Sequence, residues 1–367
     1  MIPRRRFPLN LTCRTSASDT ALSPPLVSLP GQATSCYNQS ADMAIRVCLI
    51  GCGAISAGHR NALASVSDVE LTAFCDINPQ AAQDAARCHN ARAYTDWRAM
   101  LTEESPDACW ICVPPYAHEG MEEACLEKGI PFFVEKPVRL DLDSAVNLAR
   151  RVAQKGLVTA AGYVIRSSDA GRAVRQALAG ADIASVRAVY DSRLPGSGKT
   201  WHGIRRLSGG QVTEQATHLV DLMRWIVGEV REVFCYPYSG VNAKRFPSYD
   251  VEDASATCLL FEHNAVGTLS CSWLWNGWRM TAQFFAPELS VTYEWGRCTV
   301  DTGGEQTVRS FSDNPTIAQD SAFIEAVRTG DPSLVACTYQ DAVRTLSVTT
   351  AIAESAASGT PVRVTYV

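Results

Sequence analysis

The sequence predicts an α/β protein: an N-terminal dinucleotide-binding Rossmann domain, then a C-terminal α+β domain with an open, mostly antiparallel sheet. Three observations carry that prediction. Up to residue 165, short β-rich runs alternate with helical stretches, the rhythm of a parallel sheet covered on both faces. Beyond it, strand-like runs follow one another directly, as in antiparallel pairing. The first run, IRVCLI, leads without a break into GCGAIS, a glycine pattern that joins a strand to a helix with its N-terminus open to an anion.

In chain order, IRVCLI and a helical stretch come first, then VELTAFCD, a helix over 78–90 and DACWICV. A helix over 116–129, PFFVE, a helix over 141–155 and LVTAAGY complete the first domain. The second contains SVRAVYDSRL, EVFCYPY, ASATCLLF, AVGTLSCSW, MTAQFFA, LSVTYEW, RCTVDT and QTVRSF. One helix, 213–227, sits among these strands, and helices over 316–329 and 339–358 close the chain. The boundaries are therefore 43–165 for the nucleotide-binding domain and 166–367 for the α+β domain. Residues 1–42 hold Arg4, Arg5, Arg6 and Arg14 against two acids, Asp19 and Asp42, with many Ser, Thr and Pro and no periodicity. They read as a disordered or non-native extension ahead of Met43, with an organelle targeting segment as the other reading.

Composition excludes several classes. The net charge is −5 and there is no long Lys/Arg run, unlike the basic face of a nucleic-acid binder. No stretch approaches eighteen uninterrupted apolar residues, so no membrane span is predicted. The 14 scattered cysteines do not form a disulfide framework and point to a reducing, cytoplasmic setting. Cys109 and Cys112 make a C-x-x-C, but strand alternation points them to opposite faces, away from redox or zinc pairing. The 6 histidines are dispersed and H-E-x-x-H is absent, so no metal site is predicted.

Two segments compete for a nucleotide. GSGKT, 196–200, ends like a P-loop, but Arg193 stands where the opening glycine belongs, and WHGIRRLSGG lacks a helical stripe. GCGAIS has the required context. Gly51 supplies the tight turn and Gly53 the close approach to a pyrophosphate, with Ser56 in the third position. Asp76 ends the next strand, where a carboxylate accepts ribose hydroxyls and repels a 2′-phosphate, so NAD is expected before NADP.

Two further segments carry candidate chemistry. In VEKP, Lys136 follows a strand of the first domain, at the edge where parallel sheets bind ligands. In GGQVTEQATHLVDLMRW, Glu214, His218 and Asp221 fall at i, i+4 and i+7, on one helical face with Trp225. Acids one turn to either side can fix the tautomer of His218 and set its pKa near neutrality, which suits a general base. The same pattern also fits a core or solvated histidine with capping acids.

Residues 44–366 resemble the glucose–fructose oxidoreductase/inositol dehydrogenase (Gfo/Idh/MocA) family. The resemblance rests on GCGAIS…H, CDINP, VPPYAHEG, VEKP, AGYVIR, SGGQVTEQATHLVDL, VEDASATCLLF and SGTPVRV. It implies hydride transfer between a nicotinamide cofactor and a sugar, polyol or related alcohol. It places the catalytic lysine on Lys136 and the catalytic histidine on His218. The family's aspartate one turn earlier falls on Glu214, a departure that keeps the charge and adds a methylene. VPPYAH resembles the segment beside the nicotinamide ribose, which adds Pro114 and His118 to the cofactor site. Ala54 and Ile55 of the glycine turn and Glu135 and Lys136 of VEKP complete it. Substrate-side candidates are Tyr163 and Arg166 at the domain junction, Lys199, Trp201 and His202 in the GSGKT loop, and the run Trp273, Trp275, Trp278. Trp273 and Trp275 alternate onto one face, which suits a sugar ring, a core or a subunit interface. The partners implied are a carbohydrate or polyol substrate and a second copy, as a homo-oligomer (dimer or tetramer) paired through the open sheet. Two other functions share this pattern: a redox-neutral NAD-dependent glycoside hydrolase or lyase, and a non-catalytic NAD/sugar sensor. Retention of both Lys136 and His218 speaks against the sensor.

Overall fold

The computed structural model describes residues 44–118, 120–198 and 200–366. The expected extension at 1–42 and the substrate candidate Lys199 lie outside these residues. The first six strands are β1 (Ile45–Ile50), β2 (Val69–Cys75), β3 (Arg92–Tyr94), β4 (Ala108–Ile111), β5 (Phe132–Val134) and β6 (Thr159–Ala161). They form a parallel sheet in the order β3-β2-β1-β4-β5-β6. The order reverses between β1 and β4, which opens a crevice beyond their carboxyl ends.

The helices are α1 (Ala54–Leu63), α2 (Pro79–His89), α3 (Trp97–Glu104), α4 (Met121–Lys128), α5 (Leu142–Lys155), α6 (Asp169–Ala177), α7 (Arg205–Ser208), α8 (Thr217–Val227), α9 (Pro315–Thr329) and α10 (Tyr339–Ser358). Several starts follow capping rules: Asn78 and Asn314 each cap a helix whose first residue is proline, and Thr338 caps α10 by accepting from the Asp341 N–H. The single helix expected over 116–129 is divided. A 3₁₀ turn covers Pro115–Ala117, and α4 starts after Gly120, whose φ of +73° is left-handed.

Alternate residues of the buried strands feed two cores. Cys48, Ile50, Cys109, Ile111 and Phe132 pack on one side of the sheet; Val47, Leu49, Trp110 and Phe133 pack on the other. Cys109 enters the first core and Cys112 packs against the second, as strand alternation predicted. The far end of the chain completes both cores. Tyr339, Ala342, Val343 and Leu346 of α10 join the first; Phe323, Ile324 and Val327 of α9 join the second. An amphipathic pattern shows that a helix has a buried face, but not which sheet covers it.

The second sheet has nine strands. They are β7 (Ser185–Arg193), β8 (Val230–Tyr238), β9 (Ala254–Phe261), β10 (Val266–Ser272), β11 (Leu274–Ala286), β12 (Leu289–Glu294), β13 (Arg297–Asp301), β14 (Gln306–Ser310) and β15 (Val362–Arg363). The order is β14-β13-β12-β11-β7-β10-β9-β8-β15, and among these strands only β7 and β10 pair in parallel. One face packs on α6, α8 and α10; on the other, Ala256, Cys258, Thr268 and Ser270 are exposed. Trp273 and Trp275 do not share a face. The chain breaks between β10 and β11, where pairing with β7 slips between Leu274 and Trp278. Trp273 is 2% exposed and donates its indole N–H to Gln215, while Trp275 is 46% exposed. No helix among the described residues is long and apolar enough to cross a membrane.

Two devices, one steric and one polar, hold the site-bearing pieces in register. Gly51, at the end of β1, has a φ of +92°, and a Cβ there would fall 2.3 Å from the Cys112 carbonyl oxygen beyond β4. Behind α8, Arg166 forms a fork on Asp221 at 2.7 and 2.8 Å and also bonds Asp341 of α10. Arg224 bonds Asp341 at 3.0 Å and Glu229 at 2.7 Å, so no buried charge in this network stands alone.

Two outcomes follow. Gly51→Ala should destabilise by about 3 kcal/mol or more, because strain and overpacking add. Asp221→Ala should cost about 3–5 kcal/mol by leaving Arg166 without its main partner. Denaturant unfolding of both variants checks these values.

Candidate active site

The carboxyl ends of β1, β4 and β5 open into a cleft of about 700 Å³. Gly53, Ala54 and Ile55, the N-terminus of α1, form one end, with Pro114 and Pro115 beside them. Glu135 and Lys136 rise from the end of β5; Tyr190, Trp201, Glu214, Gln215 and His218 form the facing wall.

The facing wall depends on a local break in helical winding. Gly209 and Gly210 have φ of +76° and +92°, and a Cβ on Gly210 would fall 2.6 Å from a Glu252 carboxylate oxygen. Residues Val212–Ala216 then form a π turn ahead of α8. Such widened turns recur at functional sites. This one carries Glu214 into the cleft.

Lys136 donates to the Glu214 backbone carbonyl at 2.7 Å and to Glu214 Oε1 at 3.3 Å. Burial disfavours its ammonium, but the charges of Glu214 and Glu135 outweigh that penalty, and its pKa moves above the ordinary lysine value. Glu214 Oε2 is buried without a hydrogen-bond partner among the described residues. His202 Nε2 lies 3.9 Å from Glu214 Oε1, so this carboxylate sits between a lysine and a second histidine. His202 bonds Thr200 through Nδ1 at 2.7 Å and stacks on Trp201 with ring centroids 4.0 Å apart.

His218 lines the same cleft, but not as the spacing suggested. Asp221 turns to Arg166 rather than to the imidazole, and His218 Nδ1 is left without a partner among the described residues. The buried guanidinium outcompetes a neutral ring for the acid. The pKa is also not set near neutrality. Burial, then the Lys136 charge, push it down to about 3. The resting form is a neutral imidazole.

Other expected residues separate into those in the cleft and those behind it. Tyr163 is 1% exposed; its hydroxyl bonds Thr217 at 3.0 Å and its ring meets His218 edge-on at 6.2 Å, so it supports the histidine from behind. Arg166 is consumed by Asp221 and Asp341 and does not reach the cleft. His118 is buried with both nitrogens engaged, by Glu122 at 2.8 Å and the Val113 carbonyl at 3.2 Å, so it braces the segment after β4 instead of facing a ribose. Asp76 directly follows β2 and accepts the Cys52 and Asn78 N–H groups, each at 2.8 Å. Sequence reasoning missed Tyr190 and Gln215. Tyr190 is one alternating residue of a strand, and Gln215 is set by the Ser192 hydroxyl and Trp273 indole, both donating to its carbonyl oxygen. Neither leaves a local sequence signal.

These residues fit a dinucleotide. The α1 N-terminus faces the cleft beside Gly53, where a Cβ would meet nothing within 4 Å, so backbone amides lie open to an anion. The two bonds to Asp76 orient its carboxylate and leave about half of its roughly four acceptor positions for ribose hydroxyls. No group of acids, histidines and cysteines that could hold a metal ion occurs among the described residues.

Comparison with known proteins agrees with this architecture. Residues 45–163 match the model for an oxidoreductase family with an NAD-binding Rossmann fold, and residues 172–296 match the GFO/IDH/MocA C-terminal domain. The uncharacterized oxidoreductase YrbE of Bacillus subtilis is 26% identical over 61% of this chain and 66% of its own. The inositol 2-dehydrogenase of Burkholderia multivorans is 26% identical over 51% of this chain and 56% of its own. The matches thus span about half to two thirds of these curated relatives. Among solved structures, a levoglucosan dehydrogenase in complex with NADH superposes with a TM-score of 0.78 at 20% identity, covering 89% of this chain and 100% of that one. GenD2 from gentamicin A biosynthesis, in complex with NAD, gives 0.76 at 22% identity, with 89% and 98% covered. These likenesses establish the fold.

The electrostatics predict the pH dependence. His218 stays unprotonated down to about 3, and Lys136 stays charged beyond the ordinary lysine value. Alcohol oxidation should therefore show no acid limb from His218 near its ordinary value of 6.5. A pH profile of kcat/KM checks this. Because the folded pKa lies below the unfolded one, the stability linked to His218 is complete above 6.5 and is lost as pH falls from there toward 3.

Proposed function

Because the chain belongs to the GFO/IDH/MocA family of NAD-binding oxidoreductases, we propose that it is a dehydrogenase acting on a hydroxyl of a sugar, inositol or related polyol. One observation carries this reading: Lys136, paired with Glu214, and the neutral His218 line one cleft with the glycine turn of α1. The bound nicotinamide supplies the hydride acceptor or donor.

The protein's part is proton transfer and charge stabilisation. In the oxidation direction, the neutral His218 takes the hydroxyl proton. Two of the three ammonium hydrogens of Lys136 are held by Glu214, which leaves one for the oxygen that becomes an alkoxide. Glu214 keeps Lys136 charged and aimed. Trp201 and Tyr190 give the cleft aromatic faces suited to the apolar side of a sugar ring. Asp76 supports NAD over NADP, since a 2′-phosphate would meet a carboxylate. The open face of the nine-stranded sheet supports a homo-oligomer, dimer or tetramer.

His202 favours a second reading. It adds another proton carrier beside Glu214, which suits a redox-neutral hydrolase or lyase that needs more than one proton transfer. Net accumulation of reduced nicotinamide separates the two.

The test is a panel of sugars, inositols, anhydrosugars and sugar acids with NAD and with NADP, followed by absorbance of the reduced cofactor. We expect NAD-linked turnover of at least one member. Lys136→Ala should lower kcat by about 10²- to 10⁴-fold while NADH still binds. Unchanged turnover in that variant would sink the assignment of Lys136.

A further inference from the structure

Beneath the cleft, three ionisable side chains from distant parts of the chain form one line. His59 of α1 lies with Nδ1 at 2.8 and 3.0 Å from the two oxygens of Asp320 of α9. Its Nε2 lies 3.2 Å from Glu135 Oε1. The other Glu135 oxygen accepts the backbone N–H of Lys136 at 3.1 Å. His59 is 2% exposed and Asp320 0%, and Trp110 donates its indole N–H to Asp320 at 3.3 Å. Gly162 makes room for Glu135, since a Cβ there would fall 2.4 Å from Glu135 Oε1.

We propose that Asp320, His59 and Glu135 are a charged positioning chain that holds the Lys136 peptide, and through it the ammonium, in register with Glu214. Helix α9, which follows the second sheet in sequence, is thereby part of the active site. The inference rests on Lys136 being the cation of the cleft.

Hydrogen-bond chemistry gives the chain its character. A neutral imidazole donates from one nitrogen only, whereas here both nitrogens face carboxylates. Both contacts are donor-to-acceptor only if His59 is an imidazolium. Burial opposes that charge, but Asp320, then Glu135, outweigh it and push His59 up to about 10. The other groups near it do not change this. Arg60 is its neighbour on α1, Cys112 lies beyond β4, Lys136 sits past Glu135, and the Phe133 ring lies 4.9 Å away. A simple buried ion pair would end at Asp320. This one continues through Glu135 to the backbone of Lys136.

Asp320→Asn separates the proposal from a purely structural role. Without the aspartate charge, burial drives His59 toward its neutral form, one bond loses its proton, and Glu135 and Lys136 loosen. Reductive methylation followed by mass spectrometry reads the exposure of the Lys136 amine, with surface Lys128 as internal reference. We expect Lys136 to label about tenfold faster than in the unaltered protein, the worth of one charge-assisted hydrogen bond. The ratio to Lys128 should rise with pH through the neutral range. Asp320→Glu should restore protection. A folded Asp320→Asn protein in which Lys136 stays equally protected at every pH overturns the proposal. If that variant does not fold, NMR titration of His59 in the unaltered protein decides. A charged ring throughout the neutral range supports the chain; a neutral ring overturns it. Faster labelling with unchanged turnover would uphold the chain and overturn the catalytic role of Lys136.

Discussion

The pairing of Lys136 with Glu214 is the constraint on which the rest of the site depends. One partner lies two residues past a strand of the parallel sheet; the other lies on a π turn leading into a helix that packs on the second sheet. A buried ammonium without a counter-charge would lose its proton. The pair therefore fixes both the protonation of the lysine and the spacing of the two walls. The same lysine charge, after burial, keeps His218 neutral. The ion pair thus sets the state of Lys136 and, added to burial, that of His218, and neither needs an acid hydrogen-bonded to the histidine.

Longer-range packing supports that geometry. The close approach of Gly51 to the Cys112 carbonyl brings β1 and β4 together where the sheet order reverses. The network of Arg166, Asp221, Asp341 and Arg224 fixes α8 to α10, so His218 rides on a helix that cannot rotate without exposing buried charge. The helices α9 and α10 close the cores of the nucleotide-binding sheet although they follow the second sheet in sequence. Chain order and spatial order differ here. Residues separated by 261 positions, His59 and Asp320, lie in hydrogen-bond contact.

Much of this was legible in the sequence because it depends on local patterns. Glycine turns, capping residues, strand alternation and the change of rhythm after residue 165 each act over a few positions, and the two-sheet architecture follows from them. Within the site, Gly51, Gly53, Lys136, Glu214 and His218 were legible because each sits on a motif tied to a strand end or a helix start. What was not legible is the competition for partners. Asp221 lies one turn past His218 in sequence, but a buried guanidinium 55 positions upstream takes it. Tyr163, Arg166 and His118 are polar residues near the site whose hydrogen bonds point away from it. Trp273 and Trp275 look equivalent by alternation until a break between strands buries one and exposes the other. Tyr190 and Gln215 reach the cleft only through tertiary placement, and Asp320 reaches His59 only because α9 returns to the first domain.

On the proposed function, this cleft moves a hydride between a polyol carbon and a nicotinamide, with Lys136 and His218 handling the proton. The most direct measurement follows a label. An alcohol turned over by the protein is prepared with deuterium on the oxidised carbon, incubated with NAD, and the fate of the deuterium is read by mass spectrometry. Deuterium should appear on the reduced nicotinamide, in proportion to product. Deuterium released into water, or retained on a product formed without reduced cofactor, would contradict the proposed function.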